Sequence, residues 1–404
     1  MDRDVYFKKE VALEYEGHSL RLRVAQDLFS SFYVDKGTRL LLRSLSGTDR
    51  SGLGKVLDLG CGYGPLGLAL KAAGRNRAVH MVDRDALAVG YAGQNAELNG
   101  LTGVETYGSL GYDDVASQDF DLIVSNIPGK AGESAVSHLL LDAALHLRQG
   151  GLVAIVVVAP LAPKVARILD DDSGIDVSFR DFTSSYSVFH YSFASPASRP
   201  SPVSGLSRGV YRRSQMSFIV GGVDCALETA HDLPEFDTVG YQSELVIGAM
   251  MDLGVASVAR ALAFNPGQGH VPLALWKIVK PGSIGLVDRD LLALRYAKKN
   301  LELNGCATEL VTTSYRTGVL IDGDQPFDLV VGVLRENEGT EVHVLTVEQA
   351  IQQLAAGGHV VVAASSTAIS RLAKRLGMHR GISVARRKRR KGNAVLTLRR
   401  TIPR

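Results

Sequence analysis

Three short stretches near the start of the chain place polar groups where a ligand could meet them. In the first, an apolar run from Lys55 to Leu59 enters Gly60-Cys61-Gly62-Tyr63-Gly64, and a helix follows from Pro65. Glycines let the backbone approach a ligand, and a helix N-terminus offers N–H groups to it. Asp58, two residues ahead of the first glycine, can reach a cationic amino group lying over that turn. Asp83, at the end of the next apolar run, can accept hydrogen bonds from a ribose diol. The third run, Asp121 to Ser125, ends in Asn126-Ile127-Pro128. That is the carboxyl edge of a parallel sheet, where substrates of such folds sit. Gly62-x-Gly64-x-x-Gly67 also satisfies the dinucleotide fingerprint, so an NAD-binding domain competes at this point, although no hydride-transfer site accompanies it.

The elements that must hold these groups alternate. Short strands over residues 1–50 lead through Asp35-Lys36-Gly37-Thr38 into an apolar helix from Arg39 to Leu45. The pattern then predicts a helix from Pro65 to Ala73, with proline in the permitted first turn. Next come a strand from Ala78 to Val82 and a helix from Ala86 to Asn99 with Leu87, Tyr91 and Leu98 on its inner face. A loop from Asn126 to Gly132 precedes a helix reaching about Leu147. Gly150-Gly151 turns into a strand, Leu152 to Val158, and Asp176 to Phe182 with Ser187 to Phe193 form a hairpin. Strands alternating with helices specify a mostly parallel, doubly wound α/β sheet.

The plan occurs twice. Val82 to Gly100 returns as Val287 to Gly305, identical at 13 of 19 positions and displaced by 205 residues. The same offset pairs Val5-Tyr6 with Val210-Tyr211, and an offset of 207 pairs Phe120-Asp121-Leu122 with Phe327-Asp328-Leu329. A loop insertion accounts for the slip. So long a period means two whole domains rather than a solenoid. The expected division is a first domain over 1–194, a Ser/Pro-rich linker over 195–209 and a second domain over 210–404.

Composition narrows the setting. The chain has 404 residues, 46% hydrophobic and 22% charged. No apolar run reaches membrane-spanning length, and Met1-Asp2-Arg3-Asp4 lacks the apolar stretch of a signal peptide. Cys61, Cys225 and Cys306 have neither metal-ligand spacing nor the makings of a disulfide framework. A cytoplasmic protein without a metal, a membrane contact or an oligomeric partner is the expectation, its two domains forming an intramolecular pseudo-dimer. The net charge of +3 conceals a basic C-terminus: residues 380–404 hold ten Lys or Arg and no acid, which leaves 35 basic against 42 acidic residues elsewhere. Arg386, Arg387, Lys388, Arg389, Arg390 and Lys391 form its densest run. Such a patch suits an anionic partner, or protects a sheet edge.

Taken together, Asp58-Leu59-Gly60-Cys61-Gly62-Tyr63-Gly64, Asp83 and Ser125-Asn126-Ile127-Pro128 resemble the motifs of class I S-adenosylmethionine-dependent methyltransferases. Leu28-Phe29-Ser30, Asp35-Lys36-Gly37-Thr38 and Ala131-Gly132 are similar to the "methyltransferase small domain" family in particular, whose tandem-domain members methylate guanine N2 of ribosomal RNA and carry one degenerate copy. The resemblance implies a Rossmann-like domain in tandem, each copy a mostly parallel seven-stranded sheet with a C-terminal antiparallel hairpin. It implies S-adenosylmethionine as cofactor, held by Asp58, Gly60, Cys61, Gly62, Gly64, Asp83, Arg84 and Ser109, with Asn126 adjoining both cofactor and target. The Asn126 side-chain carbonyl and the backbone carbonyl of Ile127, ahead of Pro128, would accept the two hydrogens of an exocyclic amine. Ile127 stands where the family has proline, and Gly129 where an aromatic ring stacks on the base; Tyr63, Tyr112 and Phe32 are candidate replacements. Lys130 and the 386–391 run would meet RNA phosphates.

At the same offsets the second copy reads Ala263 for Asp58, Asn265 for Gly60, Val333 for Asn126 and Arg335 for Pro128, while Asp288 matches Asp83. The expectation is a catalytic first domain and a second retained to bind RNA. Two alternatives stay open: another acceptor, such as DNA adenine, a protein amide or a small-molecule amine, or a non-catalytic RNA-binding protein.

Overall fold

The computed structural model describes residues 4–46, 52–195, 203–220, 222–255, 258–323, 325–376 and 381–401. Contacts divide the chain into two units. One runs from Phe7 to Tyr211, and the other joins residues 4–6 to those from Arg212 onward.

The first unit opens with a hairpin, β1 (Phe7–Tyr15) and β2 (His18–Ala25), followed by α1 (Lys36–Ser46), β3 (Lys55–Leu59), α2 (Pro65–Ala73), β4 (Ala78–Asp83), α3 (Ala86–Leu98) and β5 (Val104–Gly108). It continues with β6 (Phe120–Asn126), α4 (Glu133–Leu141), β7 (Leu147–Val158), α5 (Ala162–Asp170), β8 (Ile175–Phe182) and β9 (Tyr186–Phe193). Seven strands form one sheet in the order β5-β4-β3-β6-β7-β9-β8. β3 to β7 run parallel, and β9 is antiparallel to both its neighbours. The strand order reverses between β3 and β6, which puts the ligand crevice of such a sheet at their carboxyl ends.

The second unit repeats this with β10 (Arg212–Val220), β11 (Val223–Ala230), α6 (Tyr241–Leu253), β12 (Arg260–Phe264), α7 (His270–Ala274), β13 (Ser283–Asp288), α8 (Leu291–Leu303) and β14 (Val311–Tyr315). β15 (Phe327–Val333), α9 (Thr340–Gln352), β16 (Leu354–Ser365), α10 (Ser366–Leu376), β17 (Ile382–Arg390) and β18 (Asn393–Arg400) complete it. Its sheet order is β14-β13-β12-β15-β16-β18-β17. Period-two alternation splits each strand between two cores. Ala261 and Ala263 pack with α6, α7 and α8, and Leu262 and Phe264 with α9 and α10. Among the described residues no helix is long and apolar enough to cross a membrane.

The helix that barely changed between copies is explained by two asparagines. Asn95 of α3 bonds the backbone N–H and carbonyl of Arg23 and the carbonyl of Tyr63, and Asn99 bonds both backbone groups of Arg21. Asn300 and Asn304 of α8 hold Glu228 and Ala226 of β11 in the same way. A side-chain amide satisfying a strand edge replaces a missing neighbouring strand. This corrects the inner face expected for α3: Asn95 is buried there, and Leu98 is exposed.

Two boundaries also differ from expectation. α1 begins at Lys36 because the Asp35 carboxylate accepts the N–H groups of Gly37 and Thr38 and caps the helix. α4 stops at Leu141, short of Leu147, and one short 3₁₀ turn follows. The described end of the linker is bound rather than free: Gly205 and Leu206 donate to Asp113, and Tyr211 donates to the Leu110 carbonyl. Residues 196–202 lie outside the described residues.

Candidate active site

Because Leu57 and Leu59 belong to the core on the α4 and α5 side, Asp58 between them points to the opposite face, against α2. It is fully buried, and its Oδ2 accepts the Gly67 N–H at 2.8 Å. Gly67 must stay small, since a Cβ there would lie 2.8 Å from Met81. The other carboxylate oxygen, Oδ1, is buried with no hydrogen-bond partner, which is costly unless a cationic group meets it. Burial above all, and then the Asp83 charge, push the Asp58 carboxyl up to about 7 against the opposing pull of the Gly67 N–H.

The glycine turn is fastened to the end of β4. Gly60 and Cys61 donate to the Val82 carbonyl, and Gly62 donates to Asp83 Oδ2 at 2.9 Å. Gly60, Gly62 and Gly64 all have positive φ. A Cβ on Gly60 or Gly62 would meet nothing within 4 Å, so their backbone borders open space. Asp83 is not the helix cap: Asp85 caps α3 by accepting from Leu87, and Asp83 Oδ1 holds the Asp85 N–H. Arg84 is half-buried in the bend between β4 and α3. The Cys61 thiol is buried and pointed at the Gly62 carbonyl, and the Ser109 hydroxyl is committed to its own loop, bonding the Gly111 carbonyl and the Asp114 N–H.

Asn126 closes β6 at the same edge, its Nδ2 donating to Asp35 Oδ2 at 3.1 Å and to Thr38 Oγ1 at 3.4 Å. The departure at Ile127 has a local reason. Its N–H donates to the Val156 carbonyl and its side chain is buried in the core, both of which a proline would forgo. Pro128, Gly129 and Lys130 are exposed. A Cβ at Gly129 would come within 3.3 Å of Val158, so a ring there needs Val158 to yield. Of the expected stacking residues, Tyr63 and Tyr112 are buried, and Tyr112 stacks on His146 and donates to the Leu139 carbonyl. Phe32 is exposed, with the Lys8 ammonium 3.3 Å from its ring centroid, and Phe29 and Tyr33 beside it are exposed too. Sequence reasoning missed that pair, whose signal was the cluster of aromatics just ahead of Asp35.

The second copy has filled its own site. Arg335 forms an ion pair with the fully buried Asp288, and Asn265, with positive φ like Gly60, donates to the Val333 carbonyl. Arg289 pairs with Glu338. The pocket left among Tyr6, Asn265, Arg289, Arg316 and Glu338 has space on the scale of about one water molecule.

The basic run lies on β17, an edge strand, and period two distributes it over both faces of the sheet. Arg386 and Lys388 pair with Asp252 and Arg390 with Glu244, all on α6. Arg387 and Arg389 reach Ser370 on α10, and Lys391 donates to the Tyr241 hydroxyl. The single patch expected from the sequence is thus divided between the two faces of the sheet. Charge substitutions at Arg387 and Arg389 would alter this run without removing the buried strand β18 that pairs with it.

Fold and site together define a tandem class I methyltransferase architecture. Over 98% of both chains, at 20% identity and a TM-score of 0.67, it superposes on a 16S rRNA N2 methyltransferase of T. thermophilus solved with AdoMet and guanosine. Residues 19–174, within the first unit, match the methyltransferase small domain model. An uncharacterized protein of Bacillus subtilis, YbxB, is 40% identical over 131 residues, 32% of this chain and 64% of its own length. The ribosomal RNA small subunit methyltransferase C of Haemophilus influenzae is 40% identical over 136 residues, 33% of this chain and 40% of its own. The chain thus spans less than two thirds of the length of these relatives.

Proposed function

We propose that the protein is an S-adenosylmethionine-dependent N-methyltransferase acting on an exocyclic amine, with guanine N2 of ribosomal RNA as target. The observation that carries this reading is the juxtaposition, at one sheet edge, of Asn126 with an orphaned carboxylate oxygen on Asp58 and an open glycine turn. The residues present fit the cofactor. Asp58 Oδ1 would meet its cationic amino group, the backbone of Gly60, Gly62 and Gly64 would border its methionine part, and Asp83 would accept from its ribose. When bound, it supplies an electrophilic methyl group on a sulfonium.

The chain's own residues then orient the acceptor. Asn126 Oδ1 and the Ile127 carbonyl accept the two amine hydrogens, which turns the nitrogen lone pair outward for in-line transfer. Neither atom is a base, so catalysis here is positioning. Phe29, Phe32 and Tyr33 supply stacking that Gly129 does not, worth about 1–3 kcal/mol per base. The second copy supports this, because the same positions there are Pro234, Asp237 and Thr238. The second unit serves RNA binding: surface ion pairs such as Arg390–Glu244 hold together by only about 0–1 kcal/mol, so their cations can exchange onto phosphate.

Methyl transfer from labelled cofactor into total RNA and protein, followed by nucleoside analysis, tests the reading. Label in N2-methylguanosine is the expected result, and label confined to protein overturns it.

Asp58 also imposes a pH dependence. The cationic amino group prefers the ionised carboxylate, yet burial holds the carboxyl near 7. Cofactor binding therefore expels a proton at mildly acidic pH. Affinity should rise roughly tenfold between pH 5.5 and pH 7 as the ionised fraction grows. Calorimetry across that range checks it, and Asp58→Asn should flatten the profile.

A further inference from the structure

The geometry points to Asp35 as a positioning residue that fixes which end of the Asn126 amide faces the substrate. This rests on the methyltransferase reading for its consequence, though not for its geometry. Four donors converge on the Asp35 carboxylate. Gly37 N–H and Thr38 N–H reach Oδ2 at 2.9 and 3.3 Å, Asn126 Nδ2 reaches the same oxygen at 3.1 Å, and the Tyr186 hydroxyl reaches Oδ1 at 2.9 Å. The two ends of an asparagine amide have nearly the same shape, so packing alone does not choose between them. A carboxylate does, because it only accepts hydrogen bonds. The NH₂ end of Asn126 must turn toward Asp35, and Oδ1 must turn away from it. Oδ1 is the atom that accepts an amine hydrogen; with the amide reversed, an NH₂ group would confront the incoming amine and repel it.

The surroundings are built around this carboxylate. A Cβ on Gly37 would lie 2.8 Å from Asp35 Oδ2 and 2.8 Å from the Tyr186 ring, so only glycine fits between them. Burial first, and then hydrogen bonding to Asp35, push the Tyr186 phenol up to about 12, which keeps it a donor. The second copy is an internal control. Where Asn126 became Val333, Asp35 became Gly240, Gly37 became Gln242 and Tyr186 became Asn393. Asp35 also caps α1, but a helix cap alone would have been worth keeping in the second copy, whose equivalent α6 survives. Asp35 and Tyr186 were lost together with the amide, while the position of Thr38 kept a hydroxyl as Ser243.

The test is a double-mutant cycle on the full-length protein. Asp35→Ala removes the acceptor that orients the amide, and should lower kcat by roughly 10- to 100-fold with cofactor affinity unchanged. Tyr186→Phe, which removes one donor and leaves the cap intact, should lower it by about 3- to 10-fold. The double variant Asp35→Ala/Asn126→Ala should be no slower than Asn126→Ala alone, because Asp35 acts through that amide. Multiplicative losses would instead show an independent structural role and overturn the assignment. A second readout does not depend on activity. With asparagine-selective nitrogen labelling, solvent exchange of the Asn126 side-chain amide should be slow in the wild-type protein and faster in Asp35→Ala. Equal exchange in the two sinks the proposal. If the wild-type protein transfers no methyl group but the exchange rates differ, it is the enzymatic reading that fails.

Discussion

Asn126→Ala is expected to lower the rate of methyl transfer by roughly 10²- to 10³-fold, the size seen when one preorganised polar contact is removed from a reacting centre. The side chain lies at the end of β6 with its Nδ2 donated to Asp35 and Thr38, so it is held before the substrate arrives. On the proposed reading, truncation removes one of two acceptors for the amine and leaves the carbonyl of Ile127, a residue still fixed by the bond of its N–H to Val156 of β7, as the other. Among the described residues Asn126 makes its side-chain hydrogen bonds to Asp35 and Thr38 and not to the glycine turn, so cofactor affinity should hold within about twofold, the mark of an interaction used in the transition state. Single-turnover kinetics with saturating cofactor, set beside calorimetric binding, separates the two effects. A comparable loss in cofactor affinity would move Asn126 from the amine to the cofactor.

Asp83→Ala should weaken S-adenosylmethionine binding by about 10- to 100-fold, the equivalent of one charge-assisted hydrogen bond at about 1.5–3 kcal/mol. The upper part of that range is favoured because Asp83 has two duties: its Oδ2 also anchors the Gly62 N–H that shapes the turn. The matching change in the second copy, Asp288→Ala, should leave cofactor binding untouched. Its carboxylate is already taken by Arg335, and ligand entry would require breaking a buried ion pair, an act that costs several kcal/mol. Titration calorimetry should accordingly give one site per chain in the wild-type protein. Two sites, or a loss on Asp288→Ala, would restore a binding role to the second copy.

Much of this was legible in the chain. The order of elements followed from apolar runs punctuated by glycine and proline, because a buried parallel strand and an amphipathic helix impose different periods. Asp58, Asp83 and Asn126 could be placed because each lies at or next to the end of a strand, and strand ends in this topology share one edge. The 205-residue offset then separated positions kept for shape from those kept for chemistry. Errors arose where a polar residue took a core position. Leu98 was expected inside α3, but Asn95 occupies that face because it satisfies the backbone of β2. The basic run misled for another reason. Consecutive cations look like one patch in a sequence, yet on a strand they alternate between faces, and α6 and α10 lie on opposite ones.

By itself the sequence determined that this is a duplicated, doubly wound α/β protein with one intact set of strand-end polar groups. Those properties are written in local periodicity and in a constant offset. Tertiary structure alone decided how those groups are made to work or kept from working. Asp35 reaches Asn126 across 91 residues and Tyr186 across 151, while Arg335 crosses 47 to neutralise Asp288. Hydrogen bonds of that span depend on which strand lies beside which and which face each residue turns. No local pattern encodes them, so a carboxylate that orients an amide and an arginine that closes a pocket become visible only once the chain has folded.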